Sequence, residues 1–163
     1  MDLNELNNYG IKTPRFTLCG LKTNGRLVDI IDGDSLTIVL PMYNNYYKFN
    51  VRLNGIDASE ISSKDGHLKD IAFNARNALF TLLTNKDTTC ILTKREIQNY
   101  LNDTVIIVWV ECLEFDKYGR LLANVFSKDV CLSKYLLDRH LAYEYHGEKK
   151  QNEDEQLKFF ENV

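Results

Sequence analysis

Residues 47–55 read Y-K-F-N-V-R-L-N-G and alternate without a break. Phe49, Val51 and Leu53 are apolar, while Lys48, Asn50, Arg52 and Asn54 between them are polar. A period of two commits the stretch to an extended strand with one face on a core. A helix would scatter the same apolar groups around its circumference. The chain is therefore built in part from sheet, and Arg52 projects from the polar face of a strand.

Two more strands precede this one. Leu27, Val28, Ile30 and Ile31 end one apolar run, and Leu36, Ile38, Val39 and Leu40 begin another, with I-I-D-G-D-S spanning the junction at 30–35. Asp32-Gly33 predicts a tight hairpin turn between arms at 22–31 and 35–40. Asp34 is left at the exit of the turn, where a hairpin needs no second carboxylate. Residues 41–46 read as a polar, aromatic loop, and 57–67 as a second polar loop. Leu68, Ile71, Ala72, Ala75, Ala78, Leu79, Leu82 and Leu83 follow the helical period, which predicts an amphipathic helix over 68–84. A short strand near 89–93 is expected next. Thr93 and Glu96 match a capping box that opens a helix ending at about Asn102. T-V-I-I-V-W-V-E-C-L-E-F is apolar on both faces for most of its length, as a central strand is. Asp116 to Gly119 turn the chain into R-L-L-A-N-V-F, a fifth main strand. Leu132, Tyr135 and Leu136 begin another helix, and 152–163 is a short terminal helix or a frayed tail.

Three strands, a helix, two strands and further helices predict an α+β, mainly β domain. The expected form is a five-stranded barrel of the oligonucleotide-binding type (OB-fold) with about three helices. Residues 1–20 read as an N-terminal extension, with F-T-L-C-G-L as a short strand or an arm, and 21–163 as the domain.

Composition narrows the function. A chain of 163 residues, 44% hydrophobic and 26% charged, is one globular domain with a sizeable core. No apolar run approaches the roughly 20 residues that span a membrane. The opening M-D-L-N-E-L-N-N is acidic and polar, unlike a secretory leader, so an intracellular setting is expected. Cys19, Cys90, Cys112 and Cys131 lie far apart, form no C-x-x-C pair and are expected as reduced thiols rather than zinc ligands. His67, His140 and His146 have no metal or triad spacing. A net charge of −3 excludes coating of nucleic acid by a broad basic surface. It leaves room for an enzyme that gathers a few cations in one pocket, and the acidic excess suits a divalent cation.

Asp34, Asp57 and Glu60 stand with Arg52 and Arg120 at strand ends or in adjoining loops. Singly, each has a plain structural reading: Arg52 with Glu60 would be a surface pair worth about 0–1 kcal/mol, and D-K-Y-G-R a charged turn. Together they meet a chemical requirement. Carboxylates fix a hard divalent cation, the cation polarises a phosphoryl oxygen, and planar guanidiniums clamp the remaining oxygens of a phosphodiester. A third carboxylate orients or deprotonates the attacking water.

In this order, I-D-G-D-S, V-R-L-N-G-I-D-A-S-E, D-K-Y-G-R-L-L-A and L-A-Y-E-Y-H-G resemble the staphylococcal nuclease (thermonuclease-like) family over about residues 22–147. The resemblance implies an OB-type barrel with helices and calcium-dependent cleavage of DNA and RNA; a monomer with no membrane partner is expected. The resemblance also implies Asp34, Asp57 and the main-chain carbonyl of Ala58 as calcium ligands. Glu60 would hold the nucleophilic water, as general base or as positioner, and Arg52 and Arg120 would bind the scissile phosphate. Lys117 and Tyr118 would line the nucleotide pocket, with a ring from Tyr143 or Tyr145. The chain departs from the family at Ser59, where proline is usual, which is expected to loosen the loop carrying Glu60. Ser35 replaces a common threonine, and 86–103 look like an insertion. The alternative is a non-catalytic module of the same fold that binds nucleic acid or protein, as in multidomain Tudor-nuclease proteins. Related barrels of that kind have lost the acids and arginines, and all five are present here. In a third reading the charges are only a solvated face, which would bind no ion tightly.

Overall fold

A computed structural model describes residues 3–163. Strands β1 (Lys22–Asp32), β2 (Ser35–Met42) and β3 (Asn45–Leu53) form a meander, followed by the short β4 (Ile56–Asp57). Helices α1 (Gly66–Thr84) and α2 (Lys94–Asp103) lead to β5 (Ile106–Phe115), β6 (Leu121–Ser127) and β7 (Val130–Cys131). Helix α3 (Leu132–Leu137), strand β8 (Tyr143–Glu144) and helix α4 (Glu153–Glu161) complete the chain. The main sheet runs β3-β2-β1-β5-β6-β7, and a parallel pairing of β3 with β6 closes it. Five strands therefore make a barrel with no unpaired edge between them, the expected OB-type α+β fold.

The alternation that identifies β3 is what fills this barrel. Val51 and Leu53 point inward with Leu27, Ile30, Leu36, Ile38 and Leu40, and all are buried. Burying each such side chain contributes about 1.5–3 kcal/mol. Helix α1 covers the barrel through Leu68, Ile71, Ala72, Ala75 and Leu79. It starts at Asp65, whose side chain accepts from Leu68 N–H, and ends at Asn85 in the left-handed conformation. Its alanines let it sit directly on the β1–β2 turn. A Cβ on Gly33 would lie 2.7 Å from the Ala75 Cβ and 3.1 Å from that of Ala58. Gly33 is thus required by close approach. Helix α2 opens with both halves of the Thr93–Glu96 capping box. It packs on β1, where Arg26 donates to the carbonyls of Leu101 and Asn102 at its C-terminus.

Several expectations are corrected. Residues 41–46 are not a loop: Tyr43 and Asn44, both at positive φ, make a two-residue turn between β2 and β3. Tyrosine is an unusual residue there, so composition hid the turn. Residues 89–93 form no strand. Side chains of α1 hold them instead, Asn77 donating to the Cys90 carbonyl at 3.3 Å and Arg76 to that of Leu92. Strand β5 is central, between β1 and β6, but only one face is buried, since Ile107 and Trp109 are 55% and 38% exposed. Barrel strands have an outer face, and on β5 that face meets solvent at Ile107 and Trp109. Of the two readings of 16–21, strand or arm, the structure shows an arm, whose Leu18 enters the core and whose Gly20 and Leu21 bond to the Cys112 backbone. Of the two readings of the last segment the helix holds, capped by Asn152 and Glu155. The described residues hold four α-helices and one short 3-10 turn, Leu3–Asn8. Among the described residues no helix is long and apolar enough to cross a membrane.

Candidate active site

Asp32 pairs with Ser35, so the two loop residues of the first hairpin are Gly33 and Asp34. Asp34 therefore lies within the turn, not at its exit. The Ala58 N–H donates to Asp34 Oδ2 at 3.2 Å, the Ser35 hydroxyl to Oδ1 at 2.8 Å, and Leu53 N–H to the Asp34 carbonyl at 2.8 Å. Burial pushes the Asp34 carboxyl up, and Arg52 and the Ser35 hydroxyl pull it back only in part.

Arg52 does not project into open solvent as its strand pattern suggests. It is 4% exposed, because the first turn, β4 and β8 fold over the end of β3. Its Nη1 donates to the Ile56 carbonyl at 3.1 Å. Nη2 lies 2.5 Å from Asp57 Oδ1 and 3.5 Å from Asp34 Oδ2. One guanidinium nitrogen thus bridges two carboxylates that would otherwise repel one another.

Asp57, 2% exposed, has two more partners. Lys150 Nζ lies 2.7 Å from Oδ1, and the Tyr143 hydroxyl donates to Oδ2. Pairing of β4 with β8 sets Tyr143 opposite Asp57. Burial alone would raise the Asp57 carboxyl, but Lys150, Tyr143 and Arg52 outweigh it and hold it below the usual carboxylate range. Burial and the bond to Asp57 push the Tyr143 phenol well above its ordinary value. Tyr143 therefore faces the acids, with its ring at 6.0 Å from that of Phe159 in α4. Tyr145, two residues on, lies 5.4 Å beneath the Arg52 guanidinium and lines the cleft.

That cleft holds about 710 Å³ and is walled by Arg52, Lys117, Tyr118, Arg120, Tyr145 and Lys150 among others. Its far wall is the turn before β6. Asp116 accepts from the Tyr118 and Arg120 N–H groups, both at 2.9 Å, and from Arg120 Nε at 2.7 Å, while Gly119 supplies the positive φ. Burial raises Asp116, and the Arg120 and Tyr118 donors overcome it and lower it. Lys117 and Arg120 lie 5.0 and 5.6 Å from the exposed Tyr118 ring. Parallel pairing of Arg52 with Leu122 brings Arg120 to the same end of the barrel as Arg52.

Glu60 is not joined to this group. It is exposed on the loop after β4 and accepts from the Ser62 hydroxyl at 3.2 Å. Among the described residues no three His, Cys, Asp or Glu side chains converge as a metal cluster. The donor set is Asp34 and Asp57, facing one Arg52 nitrogen, with Ala58 bonded to Asp34. Two carboxylates fit a hard cation that completes its shell with water. Ser59 does not leave the loop loose. It is buried and its hydroxyl donates to Gln156 Oε1 of α4 at 3.0 Å, so a tertiary bond does what proline would do locally. Neither this tie nor Lys150 is visible by motif. The one trace in the sequence is the basic pair of H-G-E-K-K, directly after Tyr145.

A small barrel that sets two acids and an arginine beside a cationic, aromatic cleft defines a nuclease-type domain. The chain belongs to the staphylococcal nuclease homologue family, which it matches over residues 50–163. That span holds Arg52, Asp57, Glu60, Arg120 and Lys150, and the Asp34 turn lies ahead of it. The family generally hydrolyses nucleic acids and is generally calcium-dependent. No curated protein matches the chain.

Proposed function

We propose that the protein is a calcium-dependent nuclease that hydrolyses phosphodiester bonds of DNA or RNA endonucleolytically, acting as a monomer. The observation that carries this is the bridging of Asp34 and Asp57 by Arg52, which itself lines a cleft whose far wall carries Arg120. Asp34, Asp57 and the Ala58 carbonyl would hold calcium, which when bound polarises a phosphoryl oxygen. The Ile56 carbonyl and the acids fix the Arg52 fork, and Asp116 holds Arg120 through Nε. Two preset guanidiniums meet the charge that grows on the equatorial oxygens of the transition state. Glu60, exposed on the adjoining loop, holds the attacking water. Tyr118 and Tyr145 offer rings to the nucleotide, worth about 1–3 kcal/mol per stacked base, and Lys117 offers charge.

Incubation with denatured DNA or RNA should give short products in calcium and none in chelator. Equal cleavage in both conditions would reject the metal role. The position of Glu60, apart from the two acids, favours the alternative of a non-catalytic binding module. In that case an oligonucleotide would be bound in calcium and recovered intact.

A further inference from the structure

Lys150 has no part in the reading above, yet it sits on a buried acid of the site. Its ammonium shares Asp57 Oδ1 with Arg52. The two cations differ in how they are held. Arg52 is buried and anchored a second time by the Ile56 carbonyl. Lys150 is 43% exposed at its side chain, and it reaches the acid from the loop after β8 on a flexible four-carbon stem. Across that loop Gly147 takes a positive φ, and the His146 N–H is bonded to Glu148. A calcium ion on Asp57 needs a carboxylate oxygen at about 2.3–2.6 Å. Two cations already crowd Oδ1, so an ion that approaches Asp57 on that side meets both, and Lys150 is the one that can leave into solvent.

On the strength of the calcium-dependent reading, we propose that Lys150 is a resident cation at the metal position. It compensates Asp57 in the metal-free protein, withdraws when calcium binds and so sets the calcium affinity. Once withdrawn, its ammonium stays in the cleft it already lines with Lys117 and Arg120, where it meets substrate phosphate. The consequence is a pair of effects of opposite sign. Without Lys150, calcium loses a competitor and binds more tightly, while the metal-free protein loses a counter-charge and melts earlier.

Calcium titration calorimetry on the wild type, Lys150→Gln, Lys150→Met and Lys150→Arg, with melts in chelator, tests this. The Gln and Met variants should bind calcium about tenfold more tightly, within the usual range of coupling between two sites, and melt lower without it. Lys150→Arg should stay close to the wild type in both. Lower melting with an unchanged calcium Kd would mean a purely structural ion pair and would overturn the proposal. Cleavage of single-stranded DNA by the same proteins separates the failures. An unchanged Kd in an enzyme that still needs calcium removes the Lys150 role alone. Absence of both calcium binding and cleavage removes the nuclease reading with it.

Discussion

Arg52 and Arg120 would share a chemical duty but differ in what the fold asks of them. Arg52 is the counter-charge of two buried acids. Arg52→Ala should therefore lower stability by about 3–5 kcal/mol, the penalty for breaking a buried pair, as well as activity. Arg120 is part-exposed in a turn. Arg120→Ala should change stability by about 0–1 kcal/mol and lower kcat about 10²–10³-fold, as loss of one oxyanion donor does. Melts and single-turnover rates on one preparation check both. Arg120→Ala that melts far lower, with a folded fraction that stays active, would count against its role.

Asp34 and Asp57 should respond to pH with opposite signs. Asp34 is raised in the fold by burial, so its protonated form favours folding. That contribution is full below its unfolded pKa and lost as pH rises through the folded one, leaving ionised Asp34 as a cost at neutral pH. Asp34→Asn in chelator should therefore raise the Tm at pH 7, with the gain shrinking in acid. Asp57 is lowered, with Lys150, Tyr143 and Arg52 outweighing its burial. Its stabilisation is present above the unfolded pKa and lost as pH falls through the folded one. Asp57→Asn should lower the Tm at pH 7. In the wild type calcium should stabilise the fold by about 2.7 kcal/mol at a hundredfold excess over Kd, and either substitution should abolish that gain. A calcium gain that survives intact in Asp34→Asn would place the ion elsewhere.

At the scale of elements, α4 governs the loop that carries Glu60. It holds that loop through Ser59–Gln156 and Ser63–Glu153, and it sets Phe159 on the Tyr143 ring. Gln156→Ala leaves the buried Ser59 hydroxyl without its partner and should cost about 1–3 kcal/mol. The double variant with Ser59→Ala should cost less than the sum of the two singles, which a double-mutant cycle on melting data reads directly. Additive costs would show that the bond does not form in solution. Packing of α1 on the first turn is equally specific. Gly33→Ala pushes a methyl against Ala75 and Ala58 and should cost about 1–3 kcal/mol by overpacking. Because the same turn presents Asp34, calcium affinity should fall with it, measured by titration.

On the scale of the whole molecule, the site exists only when the barrel is closed. Its groups run from Asp34 in the first hairpin to Lys150 after β8, and parallel pairing of β3 with β6 sets its two walls. Leu121 lies fully buried in that closure. Leu121→Ala should lower stability by about 2–5 kcal/mol, and calcium binding should disappear in the same transition as the far-ultraviolet dichroism. Binding that outlasts the barrel on heating would contradict this.

Features confined to one element were legible in the amino-acid sequence alone. The period of two in β3, the period of 3.6 in α1, the Thr93–Glu96 box and the turn at Asp116–Arg120 are local, since neighbours on one strand, helix or turn produce them. The acids and arginines could be chosen because phosphodiester chemistry calls for those residue types, and ordered motifs supplied their family. Tertiary structure alone decided the rest. Arg52 is on a polar face by its alternation and buried by what folds over it. Tyr143 meets Asp57 through strand pairing across 86 residues. Ser59 is held by a helix 97 residues away, and Lys150 reaches Asp57 from a loop that carries no motif. Periodicity reports which side of an element faces a core. Which element comes to lie on its other side depends on barrel closure and chain reversal, and no window of local sequence contains either.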